Sequence, residues 1–124
     1  LLDYYLERLP QDGVCYWDLY FTQGDAPRDS SAAAIICCGI LELLQHLPLT
    51  HPRREVYESA LARTVLALSE HYTTRNLPQA EGLLLHGVYS KPDNRGVDEC
   101  TIWGDYYYME ALFRLLHGSC GYWY

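Results

Sequence analysis

A stretch that is apolar on every side of a helix, followed by one that is apolar on a single side, constrains this chain more than any other feature. From about Ser30 to Leu47, Ala32, Ala33, Ala34, Ile35, Ile36, Cys37, Cys38, Ile40, Leu41, Leu43 and Leu44 run almost all the way round the helical circumference. Such a helix is expected to be enclosed on every side. Its early turns are built of small residues that let neighbouring backbones approach, and Pro48 stops it. From about Pro52 to Thr73 the spacing changes: Val56, Tyr57, Ala60, Leu61, Thr64, Val65, Leu68 and Tyr72 recur every three or four residues, while Arg53, Arg54, Glu58, Arg63 and Glu70 hold the other face. An enclosed helix beside an amphipathic one predicts two concentric layers, inner helices screened by outer ones. A further helix, about Gly104 to Leu116, has few charges in its first turns and is assigned to the inner layer, with Gly118 ending it.

Between these helices the chain reads as connections. Leu1 to Leu9 has the pattern of a helix tail whose beginning lies outside the chain, and Pro10-Gln11-Asp12-Gly13 is a turn. Val14 to Phe21 reads as an extended, aromatic-rich segment, and Gln23 to Pro27 as a loop ahead of Asp29 or Ser30, either of which suits a helix N-cap. Leu83 to Tyr89 and the path from Val97 toward Trp103 flank the turn-rich Lys91-Pro92-Asp93-Asn94-Arg95-Gly96, which predicts a short hairpin-like loop. At 124 residues the expectation is one all-α domain.

Charge and cysteine usage exclude several functions. A net charge of -7 with Lys91 as the single lysine opposes nucleic-acid binding, which needs clustered Lys and Arg. The longest apolar run, Ala32 to Leu44, is shorter than the ~20 residues that span a bilayer, and no secretory leader is visible, so no membrane partner is expected. Five Cys, with Cys37 and Cys38 adjacent inside a helix, suit a reducing, cytoplasmic setting better than a disulfide framework. No pair has metal-ligand spacing, so neither metal nor cofactor is expected.

The residues richest in chemistry lie at the start of the last helix, Trp103-Gly104-Asp105-Tyr106-Tyr107-Tyr108. The Gly104-Asp105 step reads as an N-cap, and the aromatics offer flat apolar faces with hydroxyl groups, as the wall of a carbohydrate pocket would. Core packing is the competing reading, because three consecutive Tyr point in three directions around a helix. Five residues are candidates for substrate binding: Tyr106, Trp103, His86, Asp105 and Trp17. Each has an alternative: packing for the three aromatics, a cap for Asp105, and a hydrogen bond to backbone for His86. Arg28, Lys91 and Arg95 are the local cations that could draw an acidic sugar against the unfavourable net charge.

At Arg28-Asp29-Ser30-Ser31-Ala32-Ala33-Ala34-Ile35, Gly39-Ile40-Leu41-Glu42-Leu43, Gly82-Leu83-Leu84-Leu85-His86-Gly87 and Glu99-Cys100-Thr101-Ile102-Trp103-Gly104-Asp105-Tyr106-Tyr107-Tyr108-Met109-Glu110-Ala111-Leu112, the chain closely resembles the unsaturated glucuronyl hydrolases of glycoside hydrolase family 88. The resemblance implies an α/α toroid of six helical hairpins, of which residues 1–124 form the C-terminal third. It also implies removal of the unsaturated uronic acid that lyases leave at the non-reducing end of oligosaccharides. There a carboxylic acid protonates the C4=C5 enol ether and water adds at C5, unlike ordinary two-carboxylate glycoside hydrolysis. The family's two principal catalytic aspartates lie in the N-terminal part. No catalytic residue is therefore assigned here, neither Asp29 nor Asp105, and the segment by itself is expected to be inactive. Tyr106 matches the family position that reaches the uronate. The implied partners are an unsaturated uronate-containing oligosaccharide and the missing N-terminal hairpins. The alternative is a non-catalytic helical binding or scaffold domain that closes its open edges by self-association.

Overall fold

The computed structural model describes residues 1–119. In chain order these form α1 (Leu2–Arg8), α2 (Ser30–His46), α3 (Arg54–His71), β1 (Gly87–Ser90), β2 (Arg95–Glu99) and α4 (Ile102–His117). The two helices predicted for the interior do lie side by side. Three contacts step along both in the same direction: the Ser31 β-carbon against Gly104, Cys38 Sγ to the Tyr107 carbonyl at 3.3 Å, and Arg114 to Glu42 at 2.8 Å. Parallel neighbours of this kind need a connection that returns, and α3 with the β-hairpin supplies it. Its start is held by Arg54, which donates to the Leu44 and Leu47 carbonyls at 2.9 and 3.0 Å; its far end is held by the Leu85 amide, which donates to the Tyr72 carbonyl at 2.8 Å.

Close approach of α2 and α4 depends on small residues. Ala33, Ala34 and Cys37 are fully buried, and a β-carbon on Gly104 would lie 3.0 Å from that of Ser31 and 2.7 Å from the Thr101 hydroxyl. The core between the helices and the loop after α1 contains Val14, Leu68 and Leu84, with Ile40 and Leu61 in a second cluster beside it. Burying side chains of this size contributes about 1.5–3 kcal/mol each. α3 presents Tyr57, Ala60, Leu61, Thr64 and Leu68 to that core, as its periodicity requires, although Val56 is 41% exposed.

Two expectations of enclosure are corrected. On α2, Ile35 is 40% exposed and Gly39 is also open to solvent. α4 leaves Ile102, Tyr106, Met109 and Phe113 uncovered along one stripe. Helical periodicity records which faces a sequence makes apolar, but a face is buried only if an element lies opposite it, and within this chain α2 and α4 have neighbours on part of their circumference.

The hairpin-like loop is a two-stranded antiparallel sheet with Val88 opposite Val97 and Ser90 opposite Arg95. Between Gly87 and Val88 the register slips, leaving Asp98 as an extra residue with φ of 65°. Such a bulge redirects a side chain out of the ladder. Residues 14–21 do not form a strand; Tyr16 makes an isolated antiparallel bridge with Arg28, whose guanidinium lies 4.0 Å from the Tyr16 ring centre.

Candidate functional site

The N-terminal ends of α2 and α4 lie at one end of the molecule, and several candidate residues gather there. Asp29 is the N-cap of α2. Its Oδ1 accepts from the amides of Ser31 and Ala32 at 3.0 and 3.3 Å, from the Ser31 hydroxyl at 2.6 Å and from the Val88 amide at 3.2 Å. The cap legible in the sequence therefore also fastens the hairpin to the helix. Ser30 extends the seam, its amide donating to the His86 carbonyl at 3.1 Å and its hydroxyl to the Leu85 carbonyl at 2.6 Å.

Trp103 is partly buried. Its Nε1–H donates to Ser31 Oγ at 3.1 Å, and its ring meets that of Tyr89 at a centroid separation of 5.7 Å. The Trp thus serves both as a link between α2 and α4 and as part of the surface. Tyr89, Ser31 and the second duty of Asp29 were not visible to sequence reasoning. Their signal is non-local, since 72 residues separate Ser31 from Trp103 and 59 separate Asp29 from Val88.

Asp105 does not cap α4. Thr101 is the N-cap, its hydroxyl accepting from the Gly104 amide at 3.2 Å, while Asp105 sits within the first turn and accepts from the amides of Leu83 and Leu84 at 3.0 and 2.9 Å. The extended conformation at Thr101 lets the helix begin earlier than the Gly-Asp step suggested. The carboxylate reaches across to the loop, where the N–H groups of exposed Leu83 and buried Leu84 both donate to it.

His86 likewise takes a side-chain partner where a backbone one was expected. Its Nδ1 is hydrogen-bonded to Asp98 Oδ1, and the Tyr72 ring stands edge-on to the imidazole at 5.6 Å. Both partners of this pair have φ of 65°, so the hairpin bulge and a left-handed residue before β1 together bring them face to face. Trp17 lies at the same end through its neighbours: its amide donates to the Pro27 carbonyl at 3.0 Å, and its ring tilts against Phe21 at 6.0 Å. Arg28 pairs with Asp12 at 2.8 Å and donates to the Val14 carbonyl at 2.6 Å, so it is held in the loop beneath. Arg95 lies 5.6 Å from the Tyr89 ring centre.

Tyr106 lies on the exposed side of α4. It is 45% exposed, packs edge-on against Tyr107 at 5.1 Å, and with Met109, Glu110 and Phe113 borders an open recess of about 340 Å³ on the uncovered side of α4. A second apolar recess, of about 430 Å³, opens between α1, α2 and α3 beside Leu2, Ile36, Ile40 and Tyr57.

Chemically, this end of the molecule offers aromatic faces, an imidazole and an indole already oriented by partners. Asp29, Asp98 and Asp105 all accept hydrogen bonds there. The arrangement is suited to holding a ligand against a preformed wall. Among the described residues no group of three or more His, Cys, Asp or Glu could hold a metal ion, and no helix is long and apolar enough to cross a membrane. The described cysteines Cys15, Cys37, Cys38 and Cys100 are free thiols. Burial pushes the thiols up, Cys15 to about 11 and both Cys37 and Cys38 to about 12, so all three are protonated at neutral pH.

No protein-family model matches the chain. Individual relatives do: over 124 residues, 99% of the chain, it is 48% identical to an unsaturated chondroitin disaccharide hydrolase of Streptococcus agalactiae, of which it covers 31%. A crystal structure of unsaturated glucuronyl hydrolase from the same organism superposes with a TM-score of 0.92 at 49% identity, over 98% of this chain and 33% of that one. A mutant of that enzyme complexed with dGlcA-GalNAc6S matches equally, with a TM-score of 0.92 over 98% of this chain and 32% of that one. The chain thus spans about a third of the length of the relatives it matches. By sequence and by backbone, the chain is similar to one continuous third of these unsaturated glucuronyl hydrolases, in keeping with the resemblance to glycoside hydrolase family 88 that its motifs carry.

Proposed function

We propose that residues 1–124 are the C-terminal third of an α/α toroid whose intact protein removes unsaturated glucuronic acid from the non-reducing end of lyase-generated oligosaccharides. The observation that carries this reading is the match of 99% of the chain, at 48% identity, to an unsaturated chondroitin disaccharide hydrolase. In such a reaction an acid protonates the C4=C5 enol ether and water adds at C5. The acid would come from outside this chain, in keeping with the hydrogen bonds that already occupy Asp29, Asp98 and Asp105. A general acid has to reach the reacting atom with its proton available.

The role of this segment is then to supply binding wall. Trp103 would stack on a sugar ring and Tyr106 would offer its hydroxyl to the uronate. His86 would present its imidazole at the rim near Trp17, and Asp105 would hold the 83–84 backbone in place behind them. The enzyme would work in the cytoplasm on polysaccharide breakdown products, a setting that suits buried, reduced thiols at Cys15, Cys37 and Cys38.

The test is loss of the unsaturated-uronate absorbance when disaccharides from lyase digestion are incubated with the full-length protein, and no loss with residues 1–124 alone. Turnover by the isolated segment would refute the division of labour. A second reading, a non-catalytic helical scaffold that self-associates, is favoured by the uncovered stripe Ile102, Tyr106, Met109 and Phe113. Light scattering separates the two: a stable, cooperatively folded oligomer of residues 1–124 supports the scaffold, whereas a chain that aggregates or stays molten supports the truncated toroid.

A further inference from the structure

We propose that Trp17, Tyr20 and Phe21, on the loop before α2, form a subsite for an uncharged pyranose on the reducing side of the linkage that is cut, and that Asp18 and Asp25 make it reject anionic sugars. This rests on the functional reading above and extends it to oligosaccharides longer than a disaccharide.

The base of the loop is tied to the chain that leads into α2. Tyr16 pairs with Arg28 in the antiparallel bridge, the Trp17 amide donates to the Pro27 carbonyl at 3.0 Å, and the Asp29 amide donates to the Cys15 carbonyl at 2.9 Å. The loop is closed across its middle by buried Tyr16, whose hydroxyl donates to the Gly24 carbonyl at 2.9 Å. At its tip Asp18 Oδ1 accepts from the Tyr20 amide at 2.8 Å and the Asp18 carbonyl from the Phe21 amide at 3.1 Å, which makes a tight turn. Phe21 is then the centre of an aromatic cluster, its ring 6.5 Å from that of Tyr16, 6.0 Å from Trp17 and 5.5 Å from Tyr20. Of these four rings only Tyr16 is buried; Trp17 and Phe21 are half-buried, and Tyr20 is 79% exposed.

Core packing does not account for an exposed Tyr20 braced edge-on against its neighbour. Rings that face solvent in a fixed orientation suit a pyranose, whose C–H groups pack on an aromatic face while its hydroxyls stay hydrated. Charge decides which sugar. Exposed Asp18 and Asp25 share the loop with the rings, residues 17–27 contain no Lys or Arg, and Arg28 is already paired with Asp12 at 2.8 Å. A uronate or a sulfate would meet repulsion here with no free cation to offset it, so the unsaturated uronate itself is not the occupant. The occupant is a sugar further along the same oligosaccharide. Asp29, two residues after Pro27, also accepts from the Val88 amide at 3.2 Å, so the loop and the hairpin border the same end of α2.

The experiment uses the full-length protein that carries this segment. The probes are an unsaturated glucuronyl disaccharide, an unsaturated tetrasaccharide whose other sugars are all uncharged, and an unsaturated tetrasaccharide whose third sugar is a uronate. Tyr20→Ala is expected to raise KM for the uncharged tetrasaccharide about three- to tenfold, with kcat and the disaccharide KM held within about twofold, while Tyr20→Phe restores the wild-type KM. Asp25→Asn is expected to lower KM for the uronate-bearing tetrasaccharide about two- to threefold and to leave that for the uncharged one in place. A tetrasaccharide KM unmoved by Tyr20→Ala, or a disaccharide KM raised by the same factor, overturns the subsite and leaves the functional reading standing. An Asp25→Asn protein that treats both tetrasaccharides as wild type does overturns the rejection of anionic sugars. A wild-type protein that turns over none of the probes overturns the functional reading, and the subsite with it.

Discussion

Replacing Asp105 by Ala should loosen the 83–84 backbone rather than the start of α4. The Asp105 carboxylate accepts from the Leu83 amide at 3.0 Å and from the Leu84 amide at 2.9 Å. A hydrogen bond to a charged group contributes about 1.5–3 kcal/mol, and a buried donor left unpaired costs about 1–3 kcal/mol. Leu83 is exposed, so water can replace its bond, whereas Leu84 is 1% exposed and its amide would be left without an easy substitute. The expected loss is therefore set mainly by one bond, about 2–3 kcal/mol. If the segment opens locally, hydrogen exchange at the Leu83 and Leu84 amides should quicken about 30- to 150-fold, at a factor of ten for each 1.4 kcal/mol. Asp105→Asn keeps a neutral acceptor and should lose about half as much. Peptide-resolved exchange by mass spectrometry reads both. Had Asp105 been the N-cap that its sequence position suggested, protection would fall instead at the Tyr107 and Tyr108 amides. That result, with 83–84 unchanged, would refute the geometry.

Other consequences are as direct. Gly104→Ala places a β-carbon 3.0 Å from that of Ser31 and 2.7 Å from the Thr101 hydroxyl, so it should destabilise by about 1–3 kcal/mol despite the better helix propensity of Ala, read as a lower denaturation midpoint. An unchanged midpoint would mean that α2 and α4 are farther apart than described. Cys15, Cys37 and Cys38 hold their protons to about pH 11–12, against an ordinary thiol value near 9. Between those values the folded state binds more protons than the unfolded state, so stability should be fully present below about pH 9 and decline as pH rises above it. Thermal melts at successive alkaline pH values test the sign. The same three thiols should label far more slowly than Cys100 with a thiol reagent at pH 8, and equal rates would contradict their burial.

The uncovered faces and the hydrogen-bonded end belong to one account of the molecule. The chain spans about a third of the length of the relatives it matches, and among its described residues α2 and α4 carry apolar side chains that no element covers completely. The polar seam at the N-terminal ends of α2 and α4 is satisfied within the segment, through Asp29, Ser30, Ser31 and Thr101. Its geometry is therefore internally fixed even where the surrounding surface is open.

What the sequence determined by itself is local. An apolar run almost all the way round placed α2, three-to-four spacing of apolar residues placed α3, and the scarcity of charge in its first turns placed α4; Asp29 and Gly118 marked where helices begin and end; the dense turn at 91–96 marked the hairpin. These signals depend on residues within about one turn of each other, where backbone geometry fixes who meets whom. Tertiary structure decided the rest. Whether Asp105 capped its own helix or held a loop 21 residues away, whether His86 met backbone or Asp98, and whether Trp103 was buried or tied to Ser31 across 72 residues all depended on which elements packed together. A side chain can satisfy its hydrogen-bonding capacity equally well in several ways, and only the fold brings one of those partners within reach.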